Sequence, residues 1–110
     1  MKQREIYYAD LNPTKGQEQK GIRPVVIISG NAMNQYFDIC IVCPITTKIK
    51  NYKGCVKLTH NKLNQLDQDS EIITFQVRTI DKERLINKIG DISPEELNEV
   101  KQGLIEILTF

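Results

Sequence analysis

The segment Phe37 to Ile45 (Phe37-Asp38-Ile39-Cys40-Ile41-Val42-Cys43-Pro44-Ile45) constrains the fold more than any other stretch of the chain. It is apolar at odd and even positions alike, so as a strand it needs cover on both faces and belongs at the centre of a sheet. Side chains on a strand alternate, so Cys40 and Cys43 face opposite sides and do not form a metal or redox pair. Cys55 makes the cysteine count odd, which argues against a disulfide framework and fits a reducing compartment. All three read as small core residues, because a free cysteine behaves as a buried hydrophobe.

The other elements are shorter. Arg4 to Ala9 alternates and is rich in Tyr and Ile, Val25 to Ser29 is β-branched and stopped by Ser29-Gly30-Asn31, and Gly54 to Thr59 turns Val56 and Leu58 inward. Glu71 to Ile80 reads as the clearest strand, with Ile73, Phe75 and Val77 on a core face and Thr74, Gln76 and Arg78 on a polar one. Asp81 to Lys88 fits either a short helix or the approach to a strand. The final helix has a complete start signal: Ser93 as N-cap, Pro94 at the first helical position and Glu96 as capping-box partner. Leu97, Val100, Leu104, Ile107 and Leu108 follow as an apolar stripe.

Five strands and one terminal helix joined by short turns predict a mainly β fold, a small, strongly bent antiparallel barrel or half-barrel with a C-terminal helix. At 110 residues and 40% hydrophobic content the chain suits a single domain, residues 1–110. No apolar stretch approaches the ~20 residues that span a bilayer. The start, Met1-Lys2-Gln3-Arg4, leads into a strand rather than a signal-peptide core, so the expectation is a cytoplasmic protein with no membrane association.

The net charge of +1 conceals a division. Residues 1–66 carry ten Lys or Arg against four acids, and residues 67–110 carry five against ten. No acid occurs between Asp38 and Asp67, so one end of the fold is expected to attract polyanions. Taken singly, Lys48, Lys50 and Lys53 read as loop solubilisers.

Candidate chemistry sits where polar residues end apolar strands. The loop Gly16-Gln17-Glu18-Gln19-Lys20-Gly21-Ile22-Arg23-Pro24 carries Arg23 into the second strand, Thr46 and Thr47 close the third, and Gln76 and Arg78 occupy the polar face of the fifth. If those strands are neighbours, the residues converge on a concave site of phosphate-binding character. Signatures of serine hydrolases, zinc proteases and P-loop enzymes are absent, and the single His60 reads as a solvated side chain. Asp67-Gln68-Asp69-Ser70 lacks the later glycine and glutamate of a calcium loop and reads as a turn.

These residues resemble the MazF/PemK toxins of bacterial toxin–antitoxin systems. The resemblance runs through Glu5-Ile6-Tyr7-Tyr8-Ala9-Asp10-Leu11-Asn12-Pro13, Gly16-Gln17-Glu18-Gln19, Gly21-Ile22-Arg23-Pro24-Val25, Pro44-Ile45-Thr46-Thr47 and Gln76-Val77-Arg78-Thr79-Ile80-Asp81-Lys82-Glu83-Arg84-Leu85. It implies a homodimeric SH3-like barrel with a C-terminal helix and a metal-independent endoribonuclease that needs no cofactor. Arg23 and Thr46 match the family's two principal catalytic positions. Glu18, Gln19, Lys20, Thr47, Lys48, Gln76 and Arg78 are the expected RNA contacts. The chain departs from the family at Arg4, preceded by Gln3, where many members have a Gly before the first strand's acid, and at Lys20, where relatives often have a small residue.

The implied reaction is attack by a ribose 2′-OH on its own phosphate in single-stranded RNA, leaving a 2′,3′-cyclic phosphate and a 5′-OH. A cognate antitoxin with an extended acidic segment is the implied protein partner. Two other readings stay open at this level. One is a toxin of the same fold that grips a protein such as gyrase without cutting RNA. The other is an SH3-like binding module, which calls for an aromatic-lined groove, whereas the Tyr and Phe here read mostly as strand residues.

Overall fold

The computed structural model describes residues 1–110. The long apolar segment forms strand β3 (Ile39–Thr46), and the sheet is built around it. One edge pairs with β2 (Ile22–Ile27) through Val25↔Pro44, Val26↔Cys43 and Ile27↔Val42. The other edge is shared: its Ile45–Thr46 end takes β5 (Ser70–Ile72), and its Ile39–Val42 end takes β6 (Arg78–Asp81). β1 (Glu5–Asp10) lies between β2 and β7 (Leu85–Asp91), and β4 (Val56–Leu58) pairs with β5 at the far margin. Every pairing is antiparallel, and no ladder joins β4 to β7, so the sheet is barrel-like but open.

β3 is buried on both faces, as its composition requires. Cys43 and Ile45 enter one core with Ile6, Val26, Ile72 and Val100, while Cys40 and Val42 enter a second with Ala9, Leu11, Val25, Ile27 and Ile80. Burial, reinforced by the neighbouring Cys55, pushes the Cys43 thiol up to about 12, so it stays a neutral packing group. Cys55 itself is only half-buried, short of the core position expected for it.

Helix α2 (Pro94–Thr109) begins as its sequence dictates. The Ser93 hydroxyl accepts from the Glu96 N–H at 3.1 Å, and the Glu96 carboxylate accepts from the Ser93 N–H at 2.7 Å. Leu97 and Val100 are buried and Leu104 packs against the first core. Leu108, expected in the same stripe, is 85% exposed. It lies on the same helix face as Leu97 and Leu104, so its exposure marks where the helix runs beyond the core it covers. Gly103 sits so close to the Lys53–Cys55 turn that a Cβ there would lie 2.0 Å from the Gly54 carbonyl oxygen.

The structure corrects the sequence reading in the second half. There are seven strands rather than five. Glu71 to Ile80 is not one strand: it comprises β5, a single 3-10 turn at Thr74–Gln76, and β6. Pro44 explains the break. Its carbonyl accepts from Ile73 N–H at 2.9 Å, so its ring nitrogen faces the same edge and offers no donor, and the facing chain leaves the ladder there. The faces change accordingly, with Thr74 fully buried, Phe75 48% exposed and Val77 37% exposed. Asp81 to Lys88 holds both alternatives, a 3-10 turn at Lys82–Arg84 and then β7. Helix α1 (Asn31–Tyr36) was not anticipated; buried Asn34 ties it to Ser29 by donating to that residue's carbonyl at 2.8 Å. No helix is long and apolar enough to cross a membrane.

Candidate active site

Strand pairing brings the ends of β2 and β3 together. Arg23, near the start of β2, and Thr46, at the end of β3, line one small cleft of about 140 Å³ together with Tyr8, Thr47 and Pro24. Arg23 Nε donates to the Lys20 carbonyl at 3.1 Å, which fixes the guanidinium against the loop. Its other N–H donors make no hydrogen bond or ion pair within the chain, so a planar, permanently charged fork remains available to an anion. Thr46 is 8% exposed, and its hydroxyl accepts from the Lys48 N–H at 3.1 Å, leaving its own proton free to donate.

The third wall was missed in the sequence. Asp67 and Gln68, read as belonging to a mere turn, line the same cleft and add a carboxylate to it. They arrive because β5 pairs with the end of β3, with Thr46 directly opposite Glu71. That register is long-range, and no local pattern encodes it. Tyr8 was quoted only as part of a strand.

A second, larger cleft of about 420 Å³ opens on the other side of Thr46, lined by Gln19, Lys48, Lys50 and Gln76 as well as Tyr52 and Phe75. Glu71 forms its back. This carboxylate is 3% exposed and accepts from the backbone N–H groups of Lys50 and Asn51 at 3.2 and 3.0 Å. It therefore holds the loop after β3 in place while the Lys48 and Lys50 side chains stay exposed. The single signal of this region in the sequence was the acid-free stretch from Asp38 to Asp67.

The remaining expected contacts divide. Gln76 does not stand on a strand face; it lies in the 3-10 turn, and its amide grips the loop before β2 at both ends. Its oxygen accepts from Gln19 N–H at 2.7 Å and its nitrogen donates to the Gln17 carbonyl at 3.0 Å. Glu18 and Arg78 line a neighbouring hollow with Gln76 and not the Arg23 cleft. Glu18 is turned back on its own loop, accepting from the Lys15 N–H at 2.5 Å, and Arg78 donates to the Leu11 carbonyl at 3.3 Å. Lys20 contributes its carbonyl to Arg23, and its side chain lines none of these three clefts.

Chemically, the first cleft brings a fixed cation, a hydroxyl donor and a carboxylate together around about 140 Å³ of space. The guanidinium and the hydroxyl are donors that stabilise negative charge developing on a reacting phosphorus centre, whereas the carboxylate can only accept.

Comparison with known proteins points the same way. "Endoribonuclease MazF" of Staphylococcus saprophyticus is 41% identical over 106 residues, which cover 94% of this chain and 88% of that one. The crystal structure of MazF from Deinococcus radiodurans superposes with a TM-score of 0.86 at 23% identity, over 100% of this chain and 97% of the other. A mycobacterial endoribonuclease in complex with its cognate antitoxin gives 0.80 at 20% identity, over 98% and 94%. At these identities the two structures attest the fold alone. A model of the family described as PemK-like, MazF-like toxins of type II toxin–antitoxin systems matches residues 2–108, and the chain belongs to that family.

Proposed function

We propose that the chain is the toxin of a toxin–antitoxin pair and acts as an endoribonuclease that cuts single-stranded RNA in the Arg23–Thr46 cleft. The observation that carries this reading is the meeting of Arg23 and Thr46 in one small cleft. Family membership supplies the reaction class. The relative at 41% identity bears an endoribonuclease name, which does not favour gyrase binding.

In this mechanism the ribose 2′-oxygen forms a bond to the adjacent phosphorus and the bond to the 5′-oxygen breaks. The 2′-OH proton is lost and the departing 5′-oxygen gains one, leaving 2′,3′-cyclic phosphate and 5′-OH ends. The nucleophile belongs to the substrate, so no activated water is needed. Arg23 neutralises the charge that builds on the equatorial oxygens, and the Thr46 hydroxyl donates to one of them. A guanidinium gives up its proton only with difficulty, so Arg23 acts as an electrostatic donor rather than as an acid. Thr47 flanks the scissile phosphate, Lys48 stands on the neighbouring cleft, and Gln76 orders the loop that carries Gln19, with Glu18, Lys20 and Arg78 at the periphery.

The partner of known relatives suggests this chain's own: a mycobacterial family member is described in complex with its cognate antitoxin. An acidic antitoxin segment over the basic clefts would compete with RNA. Tyr36, Phe37 and Ile39, exposed by 77%, 57% and 40%, form an apolar surface suited to a homodimer. A cytoplasmic location follows from the substrate.

The test is cleavage of a mixed-sequence RNA by purified wild type, Arg23→Ala and Thr46→Ala. Loss of one transition-state donor is expected to cost on the order of 3 kcal/mol, about a hundredfold or more in rate, for each variant, with circular dichroism unchanged. A folded Arg23→Ala protein with wild-type activity would remove the cleft from consideration.

A further inference from the structure

The second cleft carries features that phosphate chemistry does not require. Tyr52 and Phe75 stand edge to face with ring centroids 5.8 Å apart, yet they are 57% and 48% exposed. An aromatic pair held together and left facing solvent is a stacking platform rather than a core contact. Both rings come from segments that the fold goes to some length to place. Phe75 sits in the 3-10 turn forced by Pro44, and the Thr74 hydroxyl beside it donates to the Gly54 carbonyl at 2.8 Å, tying that turn to the one that carries Tyr52. Lys48 and Lys50 stand on the same cleft, their loop fixed by buried Glu71.

Two observations say what this platform faces. Thr46 lines both clefts, so a strand whose phosphate lies against Arg23 and Thr46 passes directly into the aromatic cleft. Gln19 lines the same cleft, and its Oε1, buried beneath the wall, is the one buried side-chain polar atom without a hydrogen-bond partner. A buried acceptor with no donor is costly, and a base edge bearing N–H groups would satisfy it after a small rotation of the amide.

We propose that this cleft is a nucleobase subsite. One unstacked base adjoining the scissile phosphate stacks on the Tyr52–Phe75 platform, its N–H edge meets Gln19, and Lys48 and Lys50 hold the next phosphate. The subsite rests on the reading of the Arg23–Thr46 cleft as the cutting site. It makes Tyr52 and Phe75 specificity-determining residues, required for choosing where the RNA is cut and not for the chemistry itself.

The test uses an RNA oligonucleotide with one mapped cleavage site and a set of copies in which each base flanking that site is removed in turn to leave an abasic ribose. For wild type, removal at one position is expected to lower kcat/KM about tenfold, with the other positions having smaller effects. Tyr52→Leu and Phe75→Leu, which keep apolar bulk but lose the ring face, are expected to fall by a similar factor on intact RNA and to become indifferent to removal of that same base. Phe75→Trp is expected to retain the discrimination. Wild-type protein that cleaves all abasic copies equally, or leucine variants that keep full discrimination, would overturn the subsite while leaving the Arg23 cleft standing. Failure of wild type to cleave any RNA would instead overturn the underlying reading.

Discussion

Single residues in this protein show how context decides what a charge does. Glu5 is buried enough that desolvation alone would raise its pKa. The Lys88 ammonium at 3.0 Å and the Lys2 N–H at 2.5 Å more than offset that, and its carboxyl is held below the ordinary value. A carboxylate lowered on folding stabilises the native state at pH values above its unfolded pKa, near ~4.3, and the benefit disappears as pH falls through the folded value. Acidification from about pH 5 toward about 3, across and below the unfolded value, is therefore expected to lower Tm, and Glu5→Gln should flatten part of that slope while costing about 1 kcal/mol at neutral pH. Identical acid slopes for the two proteins in differential scanning calorimetry would contradict this. Arg23 and Glu71 form a second contrast. Arg23 keeps most of its donors free for a ligand, whereas Glu71 gives both oxygens to backbone N–H groups and acts through the loop it holds.

At the scale of elements, legibility followed the range of the interactions involved. The centre of the sheet could be read from β3 alone, because burial on two faces leaves no alternative to its apolar run. The start of α2 could be read from Ser93, Pro94 and Glu96, because capping is local. Glu71 to Ile80 misled, because its alternation is a fair strand signal and the break comes from Pro44 on another strand. The register Thr46↔Glu71 had the same effect on the site: it delivers Asp67, Gln68 and Phe75 to positions that no spacing within their own segments specifies. Arg23 and Thr46 were legible because each ends an apolar strand, where a polar side chain has few structural reasons to be.

The contact between α2 and the turn before β4 gives an element-scale prediction. In an isolated helix Gly103→Ala would add about 1 kcal/mol of stability. Here the new methyl group would meet the Gly54 carbonyl oxygen at 2.0 Å, and backbone on backbone cannot rotate away. Net destabilisation of about 1–3 kcal/mol is expected from urea unfolding, together with altered Tyr fluorescence as the turn bearing Tyr52 shifts. A Gly103→Ala protein more stable than wild type would show that the helix is free to move off the turn.

For the molecule as a whole, the near-neutral total charge is the least informative number and its distribution the most. Bases dominate residues 1–66 and supply Arg23, Lys48 and Lys50 to the two clefts, while acids dominate residues 67–110 and place Glu95, Glu96, Glu99 and Glu106 on α2. A barrel-like sheet lets both halves contribute to one site: β2 and β3 bring the cation and hydroxyl, and the approach to β5 brings Asp67. The central claim is that this composite cleft promotes attack by the substrate's own 2′-OH. It is tested most directly by incubating the purified protein with EDTA and two RNA oligonucleotides, one all-ribose and one with a single 2′-deoxy ribose bearing the scissile phosphate. The account predicts that the first is cut, yielding 2′,3′-cyclic phosphate and 5′-OH ends, and that the second stays intact at that bond; cleavage of the 2′-deoxy bond would contradict it.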